Sequence, residues 1–415
     1  MKILILSNKF PPYNDGGYEL ACSDVAEGLQ RKGHEVYVLT STYGVGKPVV
    51  EENVFRYLHC FDHVHLHEIM YKLWLYQKRD QHILQKLLHK LQPDLLYVWN
   101  VGRLPRSLVM TYKNAPIPII YAISSYWMFH DTVYKDWHEL WARHAGTPFR
   151  QALKTVLRRC VPDVQEVVQT DIPCQYAHFF SRMLQEEYRK QGVEPTYSQI
   201  IYHGIHIEDF MPRRSTRISE NRNDNHIRLL YSGQFGKHKG VHTALEALSY
   251  LIHHQGHRHI TLSLVGSSPF PEYKAEIEQY IANHQLELYV KLIGKVPREA
   301  LVDIYHSHDI LIFPSIWPEP FSITILEAMA SYLPIIGTTT GGSAEIFVHG
   351  ENCLTFSPEN SIQLAERITQ LMRDADLRRR ISTNAFNTVR EQFDTRHIVD
   401  EIEHFLQYVL NVHNT

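Results

Sequence analysis

The stretch EPFSITILEAM, beginning at Glu319, sets two glutamates eight residues apart on either side of a turn. Carboxylates this close to an apolar face are uncommon unless something holds them. Pro318 and Pro320 fix the loop around Glu319 and keep the following helix from starting earlier. Ser322 fits an N-cap, so the amides of Ile323, Thr324 and Ile325 would point outward, open to phosphate oxygens. Glu319 would stand beside them in the loop, with Glu327 about one turn into the helix. Carboxylates accept paired hydroxyl hydrogen bonds well. The pattern therefore suits a ligand read as sugar, diphosphate and ribose. The competing reading is a capping glutamate plus a surface helix glutamate, which the proline-fixed loop disfavours.

A second loop, in IRLLYSGQFGKHKGVHTALEAL, runs from strand to helix through Gly233, Gly236 and Gly240. Glycines let backbone approach a ligand closely, and the helix starting near Val241 aims its positive end at the same place. Lys237 and Lys239 add charge. The loop matches neither a P-loop nor GxGxxG. Taken alone, an ordinary strand-to-helix turn with exposed lysines explains it better. Gly16 and Gly17, in FPPYNDGGYELA, stand before another helix and offer an anion site, against the plain alternative of a flexible turn.

Other signals point away from chemistry. Asp374-Ala375-Asp376 has the spacing of a metal-binding DxD, but it precedes LRRRI and reads as a helix cap. His63, His65 and His67 alternate, yet no carboxylate or cysteine completes a ligand set. FRQALKTVLRRCV, from Phe149, is a basic amphipathic helix candidate, and packing on its own domain is favoured over lipid contact.

These loops need parallel strands to carry them. KILILS, EVYVLT, DLLYVWN, PIIYAIS, IRLLYSG, TLSLVG, DILIFPS and LPIIGTT read as buried strands, with helices between them, including Tyr18–Lys32, QHILQKLLHKL and TALEALSYLI. The alternation predicts an α/β protein whose parallel sheets are covered on both faces. Polar MPRRSTRISENRNDNH, from Met211, has linker composition. The expected domains are 1–206 and 207–394, with a C-terminal helix over 395–415 that is able to pack on either. The 415 residues are 44% apolar and 21% charged, with net charge −3, which offers no general attraction to nucleic acid. Five cysteines without CxxC spacing argue against a disulfide framework or structural zinc site. No apolar stretch is long enough to span a bilayer. The expected setting is the cytoplasm, with peripheral membrane contact left open.

The order and spacing of these motifs resemble the retaining, nucleotide-sugar-dependent glycosyltransferases of family four. FPPYNDGGYELACSDVAEGLQRKGHEVYVLT is similar to the family's opening. IIYHGIHIEDFMP resembles the segment leading into its second domain, and GQFGKHKG its phosphate loop. EPFSITILEAMASYLPIIGTTTGGSAEI resembles its Glu-x7-Glu region. The resemblance, running to about Phe393, implies the GT-B fold, two Rossmann-like doubly wound domains facing a cleft. It implies transfer of a sugar from a nucleoside-diphosphate sugar to an acceptor hydroxyl with retention of configuration. It assigns catalytic roles to Glu319, on donor sugar hydroxyls, and Lys239, on the diphosphate. Glu327 would hold the ribose, and the amides of Ser322, Ile323 and Thr324 the distal phosphate. Val296 would contact the base and Gly17 would lie under the reaction centre, with Gln234 in the diphosphate loop. No cofactor or metal is implied beyond the donor, and the acceptor class stays open among polysaccharide, lipid-linked sugar and small molecule.

The chain departs from the family pattern in four places. Gln234 replaces an arginine. Ser124-Ser125 replaces His-Asp, with His130 and Asp131 a few residues on. Ser322 and Tyr332 stand where glycines are frequent. These departures keep two alternatives open: a sugar-nucleotide-binding protein of degenerate site, and a sugar-nucleotide epimerase on the same fold.

Overall fold

A computed structural model describes the chain except residues 15, 62–65, 106, 130–146, 149–150, 153–154, 156–171, 173, 212–225 and 414–415, and the side chains of 66–75. His63, His65 and the His67 side chain, His130 and Asp131, most of the basic helix candidate and nearly all of the polar linker therefore lie outside the described residues.

The chain divides into two compact α/β units. The first unit is built on an eight-stranded sheet. Its strands are β1 (Lys2–Leu6), β2 (Glu35–Ser41), β3 (Val49–Glu51), β4 (Val54–Leu58), β5 (Leu95–Val98), β6 (Ile119–Ile123), β7 (Tyr176–Phe179) and β8 (Tyr197–Ile200). They lie in the order β3-β4-β2-β1-β5-β6-β7-β8, parallel throughout except for the β3–β4 pair. β1 and β5 are buried along nearly their whole length, as apolar runs without alternation require in a sheet covered on both faces. The helix Gly17–Arg31 follows β1 and stops at Gly33, whose φ of +87° is a conformation glycine adopts freely. The amides of Gly33 and His34 close the helix end on the carbonyls of Gln30 and Leu29. The helix Thr395–His413 belongs to this first unit from Val399 onward. A Cβ built on Gly28 would lie 2.6 Å from Val399, so this helix packs closely on the first helix because position 28 has no side chain. Lys32 pairs there with Asp400 and Glu403, at 2.6 Å each.

The second unit has a six-stranded parallel sheet: β9 (Ile227–Ser232), β10 (Ile260–Val265), β11 (Val290–Gly294), β12 (Ile310–Phe313), β13 (Ile335–Gly337) and β14 (Leu354–Thr355). The order is β11-β10-β9-β12-β13-β14. Alternate residues feed separate cores on the two faces. Leu229, Leu262, Leu264, Ile310 and Ile312 join one core with the helices Val241–His253 and Ser361–Arg373. Leu230, Val265, Leu311 and Phe313 join the other with the helix Ile323–Ala330. This period-two division places helices on both sides of the sheet. The second unit runs over Tyr202–Ile398 and also takes Ser181–Met183, so it begins a few residues before the expected 207. Ile205 is held in the second unit by reciprocal backbone bonds, its amide to Phe393 O (2.9 Å) and its carbonyl from Thr395 N (3.0 Å).

Several strands lacked the expected signal. β7 carries His178 in its centre, fully buried and bonded through Nε2 to the Tyr97 hydroxyl at 2.6 Å. A histidine in a buried strand interrupts the apolar run by which such strands are found.

Candidate functional site

In the second unit, β9 leads to β10 and β11 on one side, and the chain then crosses to β12 on the other. The strand order therefore reverses between β9 and β12. Loops leaving the carboxyl ends of two such strands form the crevice where open α/β sheets take ligands. The loops at that point are Gly233–Gly240 and Pro314–Ser322, the two singled out from the sequence.

They are stitched together by backbone. His238 O accepts the amides of Ile316 (2.9 Å) and Trp317 (3.1 Å). The expectation of a helix rising straight from the glycine loop is refined: a 3-10 turn, Lys237–Lys239, comes first, and Gly240 starts the helix at φ +69°. A Cβ on Gly240 would stand 2.0 Å from Pro314 O, so glycine is required both by dihedral and by contact.

Lys239 and Glu319 meet at the centre. Lys239 Nζ lies 2.8 Å from Glu319 Oε2. Ser315 Oγ donates to Glu319 Oε1 at 2.6 Å. Thr338 and Thr340 hydroxyls both donate to Ser315 O, at 2.5 and 3.0 Å. Glu319 itself is buried, and its carbonyl accepts the Gly342 amide at 2.7 Å. Gly341, at φ +64°, lies so close that a Cβ there would come within 2.4 Å of Glu319 O. Gln234, by contrast, exposes its side chain, and its carbonyl accepts the Tyr231 hydroxyl at 2.7 Å. The His238 ring is pushed below its ordinary pKa by burial and then by the charge of Lys239.

Ser322 is an N-cap by position, but its hydroxyl makes no capping bond to the first turn. The amides of that turn are thus left for other acceptors. Its φ of −116° is ordinary extended backbone, so a serine in place of the family's glycine costs nothing here. Tyr332 differs: its φ of +56° is the conformation a glycine would favour, and its ring stacks on Phe386 at 4.1 Å.

Glu327 is a buried carboxylate, so the reading of a surface helix glutamate fails. The Tyr305 hydroxyl donates to its Oε2 at 2.8 Å, and Arg298 Nη2 lies 3.6 Å from Oε1. Burial raises its pKa above the usual carboxylate value, opposed by Arg298 and Tyr305. Val296 lies in the loop just before the helix that Arg298 opens, and packs partly buried against the core that includes Tyr305. Sequence reasoning missed Arg298, Tyr305 and Ser315. Arg298 did leave a trace, since a cation at the first position of a helix opposes the helix dipole unless a carboxylate is near.

In the first unit the strand order reverses between β1 and β5, and Gly17 opens the helix after β1. Gly16 N donates to the buried Glu19 carboxylate at 3.1 Å, so this helix start already holds an anion of its own chain. Asp374 caps the helix Ala375–Gln392 through its side chain, at 2.8 Å from Leu377 N. No helix among the described residues is long and apolar enough to cross a membrane.

Residues 15–209 match the model described as Glycosyltransferase Family 4, and residues 212–388 match Glycosyl transferases group 1. The uncharacterized glycosyltransferase MJ1607 of Methanocaldococcus jannaschii is 23% identical over 97% of this chain and 96% of its own. Among solved structures, HepE of Anabaena, crystallised with UDP, superposes at TM-score 0.72, with 22% identity, covering 98% of this chain and all of HepE. Sucrose-phosphate synthase from Thermosynechococcus elongatus superposes at 0.73, with 20% identity and 99% of both chains covered. Two family models that between them span most of the chain, over two doubly wound units with the GT-B fold, lead to one conclusion: the chain belongs to the family-four glycosyltransferases.

Proposed function

We propose that the protein transfers a sugar from a nucleoside-diphosphate sugar to an acceptor hydroxyl with retention of anomeric configuration. The observation that carries this reading is the Lys239–Glu319 pair, held by Ser315 at the sheet's reversal point. A diphosphate would draw the ammonium from the carboxylate, and Glu319 Oε2 would then accept sugar hydroxyls. The first-turn amides beyond Ser322, including those of Ile323 and Thr324, would receive the distal phosphate. Glu327 would take ribose hydroxyls, with Val296 at the base.

In the transfer, the sugar C1–O bond breaks and its electron pair leaves on the diphosphate. The acceptor oxygen bonds to C1 on the same face, and its proton passes to the departing phosphate oxygen. Lys239 and the amides stabilise the developing charge, the term that usually contributes most to such a step. HepE was also crystallised with UDP-glucose, so UDP-sugars are the first donors to test.

The test is release of nucleoside diphosphate from UDP-, GDP- and ADP-sugars by purified protein. Lys239→Ala should slow release by about 100-fold, the typical effect of losing one donor to a developing oxyanion. Glu319→Gln should also slow it, while thermal unfolding shows that both variants fold. Release at the wild-type rate in Lys239→Ala, or no release from any donor, would overturn the assignment. Donor conversion to an epimer with no acceptor would favour an epimerase.

A further inference from the structure

At the β14 edge of the second unit's sheet lies a cavity of about 390 Å³, lined by Thr339, His349, Thr355, Ser357, Gln363 and Arg367, among others. Its lining contains no aspartate or glutamate. Arg367 donates from Nε to Thr355 O (3.2 Å) and from Nη1 to Gln370 (3.4 Å), and among the described residues it has no carboxylate partner. His349 Nδ1 accepts the Thr355 amide at 2.9 Å, so in the neutral ring the proton sits on Nε2. Gln363 accepts the Ser357 amide through Oε1 at 2.7 Å, leaving its NH₂ as a donor. Thr339 and Ser357 contribute hydroxyls that bond no other described group.

Guanidinium, imidazole N–H, amide NH₂ and two hydroxyls around one space make a donor set without a matching acceptor. Such a set suits a multivalent oxyanion, and arginine is the side chain best formed to bind phosphate through two hydrogen bonds. The volume falls in the range of small-molecule sites, about 300–1,000 Å³, and exceeds what a bare phosphate fills. From this geometry we infer that the pocket is a second ligand site, taking a small, sugar-sized phosphate monoester. It is separate from Lys239, Glu319 and Glu327, but one short segment serves both places. Thr338 and Thr340 bond Ser315 behind Glu319, while Thr339 between them lines the pocket.

The inference is tested on full-length protein in a Lys239→Ala background, so that phosphate held at the carboxylate-bearing site does not contribute. Inorganic phosphate and glucose 1-phosphate are titrated while the His349 imidazole is followed by nitrogen-15 NMR. Burial and the nearby charge of Arg367 hold the His349 pKa below its ordinary value, and a bound anion should move it upward. Saturable shifts are expected for both ligands, with glucose 1-phosphate the tighter. Arg367→Gln should weaken binding by at least about tenfold, as expected for a charge-assisted hydrogen bond. Because Arg367 also braces Thr355, Thr339→Glu provides an independent variant at an exposed position and should abolish binding. Shifts that match those given by chloride at equal ionic strength would overturn the site. So would equal affinity for phosphate and its ester, or binding indifferent to both substitutions.

Discussion

At the scale of single residues, the two carboxylates of the candidate site are held in different ways. Glu319 is neutralised by Lys239, whereas burial dominates at Glu327. The sign for stability follows from linkage. A carboxyl whose folded pKa lies above its unfolded value leaves the native state binding more protons. Its contribution is fully present below the unfolded pKa and is lost as pH rises through the folded one. Glu327→Gln removes that titration while keeping an acceptor for the Tyr305 hydroxyl. Relative to wild type, the variant should therefore gain melting temperature as pH is raised from below the ordinary carboxylate range, then level off. Parallel melting curves at every pH would sink this account. Residue types were legible here and their partners were not. Glu319 and Glu327 stood out against an apolar run. Arg298, Tyr305 and Ser315 come from elsewhere in the chain, and only the fold brings them in.

The loops and strands set that geometry. Glycines 341 and 342 touch the Glu319–Phe321 backbone so closely that the two loops form one unit. Gly341→Ala would need a dihedral that L-residues rarely adopt and a contact below 2.5 Å. It should lower stability by about 1–3 kcal/mol, in the range for strained backbone positions. Donor turnover should fall further than stability alone explains, because Glu319 would shift. An intact melting temperature with full turnover would count against the tight packing of these loops. At this scale the sequence was most readable where apolar runs end in glycine or proline, as in β1, β9 and β12. It was least readable in β7, where His178 breaks the run, and in β11, where the exposed Leu292 and Ile293 give no clear one-sided pattern. Tyr332 shows the limit of reading by pattern: its positive φ is invisible in its identity and is offset by stacking on Phe386.

For the whole molecule, the helix Thr395–His413 matters most. Ile402, Phe405, Leu406 and Val409 are buried, and Phe405 stacks on Tyr197 of β8 at 5.8 Å. A chain stopped after Asp394 strips these side chains from the first unit and exposes the surface beneath them. It should aggregate or melt well below the full-length protein, and a monomer with an unchanged melting curve would refute this. The ion pairs of Lys32 with Asp400 and Glu403 are partly exposed, so Lys32→Ala should cost far less than the truncation. The arrangement also has a temporal side. At about 5–20 residues per second, a ribosome that has made β8 takes roughly 10–40 s more to deliver Val399 and the residues after it. For that interval the nascent amino-terminal lobe waits with an uncovered apolar seam. It cannot be completed before the lobe translated after it has been synthesised, and chaperone protection is most needed during that synthesis.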